Sequence, residues 1–219
     1  MKKRPAKPIK IKEHVLDIED YLKCKNYRNY VLFVLGITTG YRAGDLVKLK
    51  ARDIREALKR NLFVIKEGKK YNSKNIREKN RKPREVEVLP KVAKILKDYI
   101  KDMKDYEYIF KSRKGNNKHI GVQAVSNILK EAGEYFGLYD ITAHSMRKTY
   151  AYKLYFESGK DILLVKEALG HSSIEETKAY IGLDREKYIE VSKSLNDFVP
   201  WCIFYFFWLW MFKKIKHCN

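Results

Sequence analysis

His144 and Arg147 stand three residues apart in the stretch ITAHSMRKTYAYKLYFESGKDILLVKEALGHSSIEETKAY, residues 141–180, most of whose residues suit a helix. On a helix that spacing puts both side chains on one face, about one turn apart. His171 follows twenty-four residues after Arg147, in Leu169-Gly170-His171-Ser172, and Tyr180 comes nine residues later. One arginine, two histidines and a tyrosine share a natural target, a phosphate. Arginine offers a planar fork of donors matched to phosphate oxygens, histidine donates a hydrogen bond or carries a proton, and tyrosine supplies an oxygen nucleophile. Taken singly each has an ordinary reading, His171 as a cap and Tyr180 as one core ring among 16 tyrosines. The joint spacing is what points to chemistry.

Several elements must position these groups. The helix bearing His144 and Arg147 is predicted to end near Gly159, a usual helix stop. Asp161 to Leu169 reads as the next helix, with Gly170 closing it and His171 left on the turn. Ser172 and Ser173 each precede a glutamate by three residues, so either can form a capping box that starts the Tyr180 helix. Upstream, Ile18 to Lys23 and Tyr30 to Leu35 are dense enough in apolar residues for two helices, the second apolar nearly all round and so a core helix. Gly36, Thr39 and Gly40 are expected to break it, with a helix restarting over Ala43 to Leu49 and Arg42 at its start. No G-K-[ST] follows these glycines, so a phosphate loop is a weak reading.

Strand signals occur at 61–66, NLFVIK, and 84–89, REVEVL, with Asp53 to Glu56 a possible third. Pro90 opens a predicted helix to about Asp102, and another runs from about Val122 to Phe136. The fold class is therefore mainly α with a small antiparallel β-sheet, an α+β arrangement.

The 219 residues are ample for a single core. Lysine and arginine number 47 against 27 acids, a formal charge of +20. Six of the bases lie in the acid-free opening MKKRPAKPIKIK, which leaves +14 on the rest. A spread excess of this kind favours a polyanion such as nucleic acid as partner, against a merely solvated lysine-rich surface. Residues 66–84 hold nine bases and two acids. Cys24, Cys202 and Cys218 have no metal-ligand spacing, which argues for a reducing cytoplasm, and neither structural metal nor cofactor is expected. Residues 1–16 lack an apolar run, so they read as a basic, disordered arm able to touch DNA phosphates, not a signal peptide.

The pattern H-x-x-R, then LGH-S, then Tyr resembles the catalytic end of tyrosine recombinases, the phage-integrase family. Residues 38–50, TTGYRAGDLVKLK, resemble that family's first box, with Arg42 three residues before Asp45. The likeness covers roughly residues 17 to 190, and 17–197 is taken as the catalytic domain. It implies a site of Arg42, His144, Arg147, His171 and Tyr180, with Asp45 holding the arginine and histidine side chains in place. It also implies a small sheet whose hairpin carries a lysine to protonate the leaving 5′ oxygen. Lys69 best matches that place, Lys70 is its neighbour, and Lys74 or Lys79 are outsiders. The connecting loop is longer than the family's usual hairpin turn.

Lys70, Lys74, Arg77, Lys79, Arg81, Lys82, Lys111, Arg113 and Lys148 are candidates for phosphate contacts in double-stranded DNA, and Lys114 and Lys118 are neighbours of the same kind. By the same resemblance Arg42 and Arg147 grip the non-bridging oxygens of the scissile phosphate, His144 assists proton transfer and His171 donates to a phosphate oxygen. Attack by Tyr180 leaves a 3′-phosphotyrosine and a free 5′ hydroxyl without ATP or metal, which implies strand exchange by a homo-oligomer on DNA or with other recombinase subunits. A type IB topoisomerase and a DNA-binding remnant are the rival readings.

Two departures stand out. Only some forty residues precede Arg42, so no core-binding domain is expected within the chain. The apolar tail 198–219 contains an uncharged run, Phe198 to Phe212, shorter than the roughly 20 residues a bilayer span needs. It fits a frame-shifted end, a tail that docks in trans, or an interfacial anchor; a membrane partner is not favoured.

Overall fold

A computed structural model describes residues 5–65, 83–182 and 192–193. The chain divides into two compact units, Met1–Ile181 and Gly182–Asn219. The second contains the tail 198–219, which lies outside the described residues, and all the site residues described below belong to the first.

That unit begins with α1 (Lys12–Lys25) and α2 (Tyr27–Thr39). Residues Val31 to Gly36 of α2 are buried without interruption, as an all-apolar helix must be. The helix runs through Gly36, which the sequence reading had placed at its end. Gly36 is there for packing: a Cβ on it would lie 2.9 Å from Cβ of Met146 and closer still to that side chain's sulfur. The bare backbone lets a later helix cross α2 at close range. Gly40 ends α2 in the left-handed conformation, φ 63°, where glycine has no steric penalty.

Arg42 precedes the short α3 (Ala43–Leu46), which stops before the expected Leu49. α4 (Ala51–Arg60) occupies the place of the possible third strand at Asp53 to Glu56. Its apolar residues Ala51, Ile54 and Ala57 recur every third position and are all buried, a helical stripe that outweighs any local strand preference. The Asp53 carboxylate accepts from the Lys50 backbone N–H at 2.8 Å and helps start that helix.

β1 (Leu62–Ile65) and β2 (Arg84–Glu87) form an antiparallel pair in the register Leu62 with Glu87, Phe63 with Val86, Val64 with Glu85 and Ile65 with Arg84. Phe63 and Ile65 face the core, and Arg84 and Val86 face inward beside them while Glu85 and Glu87 face solvent. α5 (Pro90–Ile100), with proline in its first turn, and α6 (Val122–Tyr135) follow close to their expected bounds. The unit closes with α7 (Ala143–Glu157), α8 (Ile162–Leu169) and α9 (Ile174–Ile181).

Of the expected arm over residues 1–16, residues 1–4 lie outside the described residues and residues 5–16 lie against the helical body. α1 starts at Lys12, Ile9 is 4% exposed, and its N–H donates to the Thr149 hydroxyl at 2.8 Å. Lys7 binds Asp140 through its backbone N–H and, at 3.0 Å, through its ammonium. One apolar side chain and three polar contacts tie this segment to the helical body, which is why it does not hang free. Among the described residues, no helix is long and apolar enough to cross a membrane.

Candidate active site

Local chemistry sets the start of α7. Thr142 accepts from the His144 N–H at 3.3 Å, and Ser145 accepts from the Thr142 N–H at 3.0 Å, a reciprocal cap that begins the helix at Ala143. His144 thus sits in the first turn, with Arg147 one turn on and Lys148 beside it.

Arg147 is 1% exposed, a rare place for a guanidinium. Its Nη1 donates to the carbonyl of Gly40 at 2.7 Å and its Nη2 to the carbonyl of Leu169 at 2.7 Å. These acceptors cap α2 and end α8. Helix-end carbonyls have no partner inside their own helix and carry the negative end of its dipole, so one buried cation ties two helix ends together.

Arg42, half-buried at the start of α3, lies in the field of Arg147. Burial and then that neighbouring charge lower its pKa to about 10, against the opposing pull of Asp45, Tyr180 and Glu176. Burial also lowers the pKa of Arg147, again opposed by Tyr180 and Asp45. Two guanidiniums held close despite their repulsion make a place where an anion relieves electrostatic strain.

Tyr180 projects from α9 into this field. Its ring packs edge-on against His144 at 5.0 Å between centroids and against His171 at 4.9 Å, and the Lys148 ammonium lies 5.2 Å from its centre. The hydroxyl is buried and, among the described residues, makes no hydrogen bond of ordinary geometry. Burial pushes its pKa up to about 12, while the closely approaching Arg147 and then Arg42 pull it down. His144 as a residue is exposed at the edge of the group, with its ring against Tyr180. Its pKa is lowered to about 4 by desolvation first, then by Lys148, Arg147 and Arg42, so the ring is neutral at pH 7.

His171 follows Gly170, which ends α8 with φ 61°, and the His171 N–H donates back to the Lys166 carbonyl at 3.0 Å. The backbone position of the second histidine is therefore anchored. Ser173 starts α9 by accepting from the Glu176 N–H at 3.0 Å, while the Glu176 carboxylate accepts from the N–H and hydroxyl of Ser172. Glu176, a cap in the sequence reading, is drawn by this turn into the field of Arg42 and His171.

The structure thus brings Arg42, Asp45, His144, Arg147, His171 and Tyr180 together. Lys148, expected as a phosphate contact, lies over the Tyr180 ring. Lys111 is paired with Glu107 at 2.7 Å, and Arg113 is exposed on its loop. Lys69, Lys70, Lys74, Arg77, Lys79, Arg81 and Lys82 lie outside the described residues.

One contributor was missed. Arg84 donates through Nη2 to the Thr39 carbonyl at 2.8 Å and lies 5.7 Å over the Tyr150 ring. Arg147 and Arg84 therefore grip adjacent carbonyls, those of Gly40 and Thr39, in the turn that leads to Arg42. Burial lowers the pKa of Arg84 to about 10, with Arg147 adding to the effect. The signal available in sequence was the period-two alternation of REVEVL, which puts Arg84 on the same face as Val86.

Comparison with known proteins agrees with this geometry. The family model described as phage integrase family matches residues 11–187. The Bacillus subtilis (strain 168) protein named probable integrase/recombinase YoeC is 33% identical over 181 residues, covering 83% of this chain and 92% of that one. Tyrosine recombinase XerA of Pyrococcus furiosus is 27% identical over 185 residues, covering 84% of this chain and 60% of that one. Among solved structures, the XerA recombinase crystal structure superposes with a TM-score of 0.63 at 21% identity, over 87% of this chain and 66% of that chain. XerH bound to its difH substrate superposes at 0.61 and 20% identity, over 88% of this chain and 55% of that chain. The chain thus spans nearly all of YoeC but between 55% and 66% of these Xer recombinases. With its catalytic-type residues converging on one tyrosine and a family match over most of its length, this chain belongs to the phage integrase family.

Proposed function

We propose that this protein is a site-specific recombinase that cleaves and rejoins double-stranded DNA through a 3′-phosphotyrosine at Tyr180. What carries the reading is the position of the Tyr180 ring, between two imidazoles and under an ammonium, with its hydroxyl in the field of two arginines. A phosphodiester resists attack because its charge repels nucleophiles and more charge gathers on its oxygens in the transition state. Arg42 and Arg147 stabilise that charge where it grows, and preorganised donors of this kind are usually the largest contribution to such catalysis.

Tyr180 begins as a neutral phenol. Its O–H bond breaks as a neighbouring base takes the proton; His144, whose ring packs on Tyr180, takes that part once the incoming phosphate offsets the charges that lower its basicity. The phenolate oxygen bonds to phosphorus while the bond to the 5′ oxygen breaks, and that oxygen takes a proton from an acid such as Lys69. The reaction conserves one phosphoester bond, so a 5′ hydroxyl from a partner strand reverses it with no energy input. Solved relatives include XerH on difH and a lambda integrase dimer on a core site. By likeness to them, this chain acts as an oligomer on DNA.

The test is a nicked duplex that loses the strand bearing the 5′ hydroxyl once cleaved. Wild type should give a denaturant-resistant protein–DNA adduct and Tyr180→Phe none. An adduct with both proteins would move the nucleophile elsewhere. With neither, provided both bind the duplex, the protein is a DNA-binding remnant.

A further inference from the structure

Nδ1 of His171, the Thr177 hydroxyl and the Ser173 carbonyl form a chain of three polar atoms joined by two hydrogens. The Thr177 side chain is fully buried in α9, and its hydroxyl donates to the Ser173 carbonyl at 3.1 Å. The same oxygen lies 3.1 Å from Nδ1 of His171. A carbonyl oxygen only accepts, and a hydroxyl has only one hydrogen to give. With that hydrogen spent on Ser173, the contact with Nδ1 is favourable only when Nδ1 carries the hydrogen and Thr177 accepts it. The opposite arrangement would set two lone pairs against each other at the carbonyl.

We propose that Thr177 is a positioning residue that holds His171 in the tautomer protonated at Nδ1, leaving the Nε2 lone pair as an acceptor whenever the ring is neutral. This rests on the recombinase reading for its meaning and refines it. A neutral His171 so held does not donate to a phosphate oxygen through Nε2. It does so only as an imidazolium, after Nε2 gains a proton from solvent, so engagement of the phosphate by His171 is coupled to proton uptake. Among the described residues, the groups gathered with it that bear on that uptake are Glu176 and Tyr180 on α9, Arg42 before α3, and His144, Arg147 and Lys148 on α7. Glu176 and an incoming phosphate favour the imidazolium; the arginines and lysines oppose it.

The experiment is nitrogen NMR of the histidine side chains on the full-length protein, with His171→Gln identifying the His171 signals. In the free protein at pH 7.5, Nδ1 should appear as the protonated nitrogen and Nε2 as the bare one. Thr177→Val should lose that pattern, with a shift toward the Nε2-protonated tautomer, and Thr177→Ser should restore it. A bare Nδ1 in wild type, or a pattern unchanged in Thr177→Val, overturns the proposal. Because this measurement needs neither DNA nor turnover, it stands apart from the adduct test. Adding uncleavable duplex to Tyr180→Phe should then protonate both nitrogens. A duplex that binds but leaves His171 neutral overturns the proton-uptake half of the proposal, whereas failure of the Tyr180 adduct alone counts against the recombinase reading.

Discussion

Arg147 donates to the carbonyl of Gly40, 107 residues before it in the chain, at 2.7 Å. That bond joins the two halves of the site, because Gly40 begins the turn that carries Arg42, while Arg147 rides on the helix that carries His144. Gly36 makes the approach possible by letting Met146, the residue next to Arg147, pack against bare backbone.

Arg147 therefore has a structural role as well as a place in the site. Arg147→Met should leave two helix-end carbonyls unsatisfied and cost about 2 to 4 kcal/mol in urea unfolding. Arg42→Ala relieves the repulsion from Arg147 but gives up the attraction of Asp45, Tyr180 and Glu176, so a smaller loss of about 1 to 2 kcal/mol is expected. Both should lower the rate of adduct formation by 100-fold or more, the order expected for loss of one preorganised donor.

Gly36→Ala forces α2 and α7 apart at Met146. A loss of about 1 to 3 kcal/mol is expected, the usual cost of overpacking. Adding Met146→Ala removes the side chain in the way, so the double variant should be more stable than the sum of the two single losses implies. Strict additivity in thermal or urea melts would contradict this packing.

Arg84→Gln loses the charge-assisted bond to Thr39 and one of the two clamps on the turn before Arg42. Since Arg84 is placed to hold that turn, cleavage should slow about tenfold or more while affinity for uncleaved duplex changes little. A binding defect as large as the cleavage defect would instead make Arg84 a direct DNA contact.

His144 sets a pH window. Its folded pKa is about 4 and its ordinary value 6.5, so between those limits the unfolded chain binds the extra proton. Its contribution to stability is present above pH 6.5 and is lost as pH falls toward 4. His144→Asn should flatten that part of the stability profile, and NMR titration should find the His144 midpoint well below 6.5. Bound DNA phosphate should raise that midpoint, because an anion between Arg42 and Arg147 offsets the charges that depress it.

Binding to duplex should weaken with salt, with a log–log slope of about −0.9 for each phosphate contact. A flat response in a filter or anisotropy assay would remove the electrostatic basis for a DNA partner. The +20 charge of the chain makes a steep slope the expected result.

Much of the site was legible in sequence because its spacings are local. The step from His144 to Arg147 is one helical turn, Gly170 is a helix stop, and Ser173 with Glu176 is a cap; each depends on contacts within four residues. The H-x-x-R, LGH and Arg42 boxes then carried the family likeness. The misjudged elements were those where distant packing outweighs local preference. Gly36 reads locally as a breaker but serves a helix crossing. Asp53 to Glu56 belong to a helix whose buried stripe needs the core beside it. The basic N-terminal segment is held by Ile9 and Lys7 against residues some 130 positions away or more.

The amino-acid sequence by itself determined which groups are present, which of them share a helix face, and the kind of anion they suit. Only the tertiary structure decided that Tyr180 lies between two histidines, that Arg84 supports the turn before Arg42, and that Nδ1 of His171 faces the Thr177 hydroxyl. The physical reason is that the charge state and tautomer of a side chain depend on the atoms around it, and those atoms come from chain segments that meet only when the core packs.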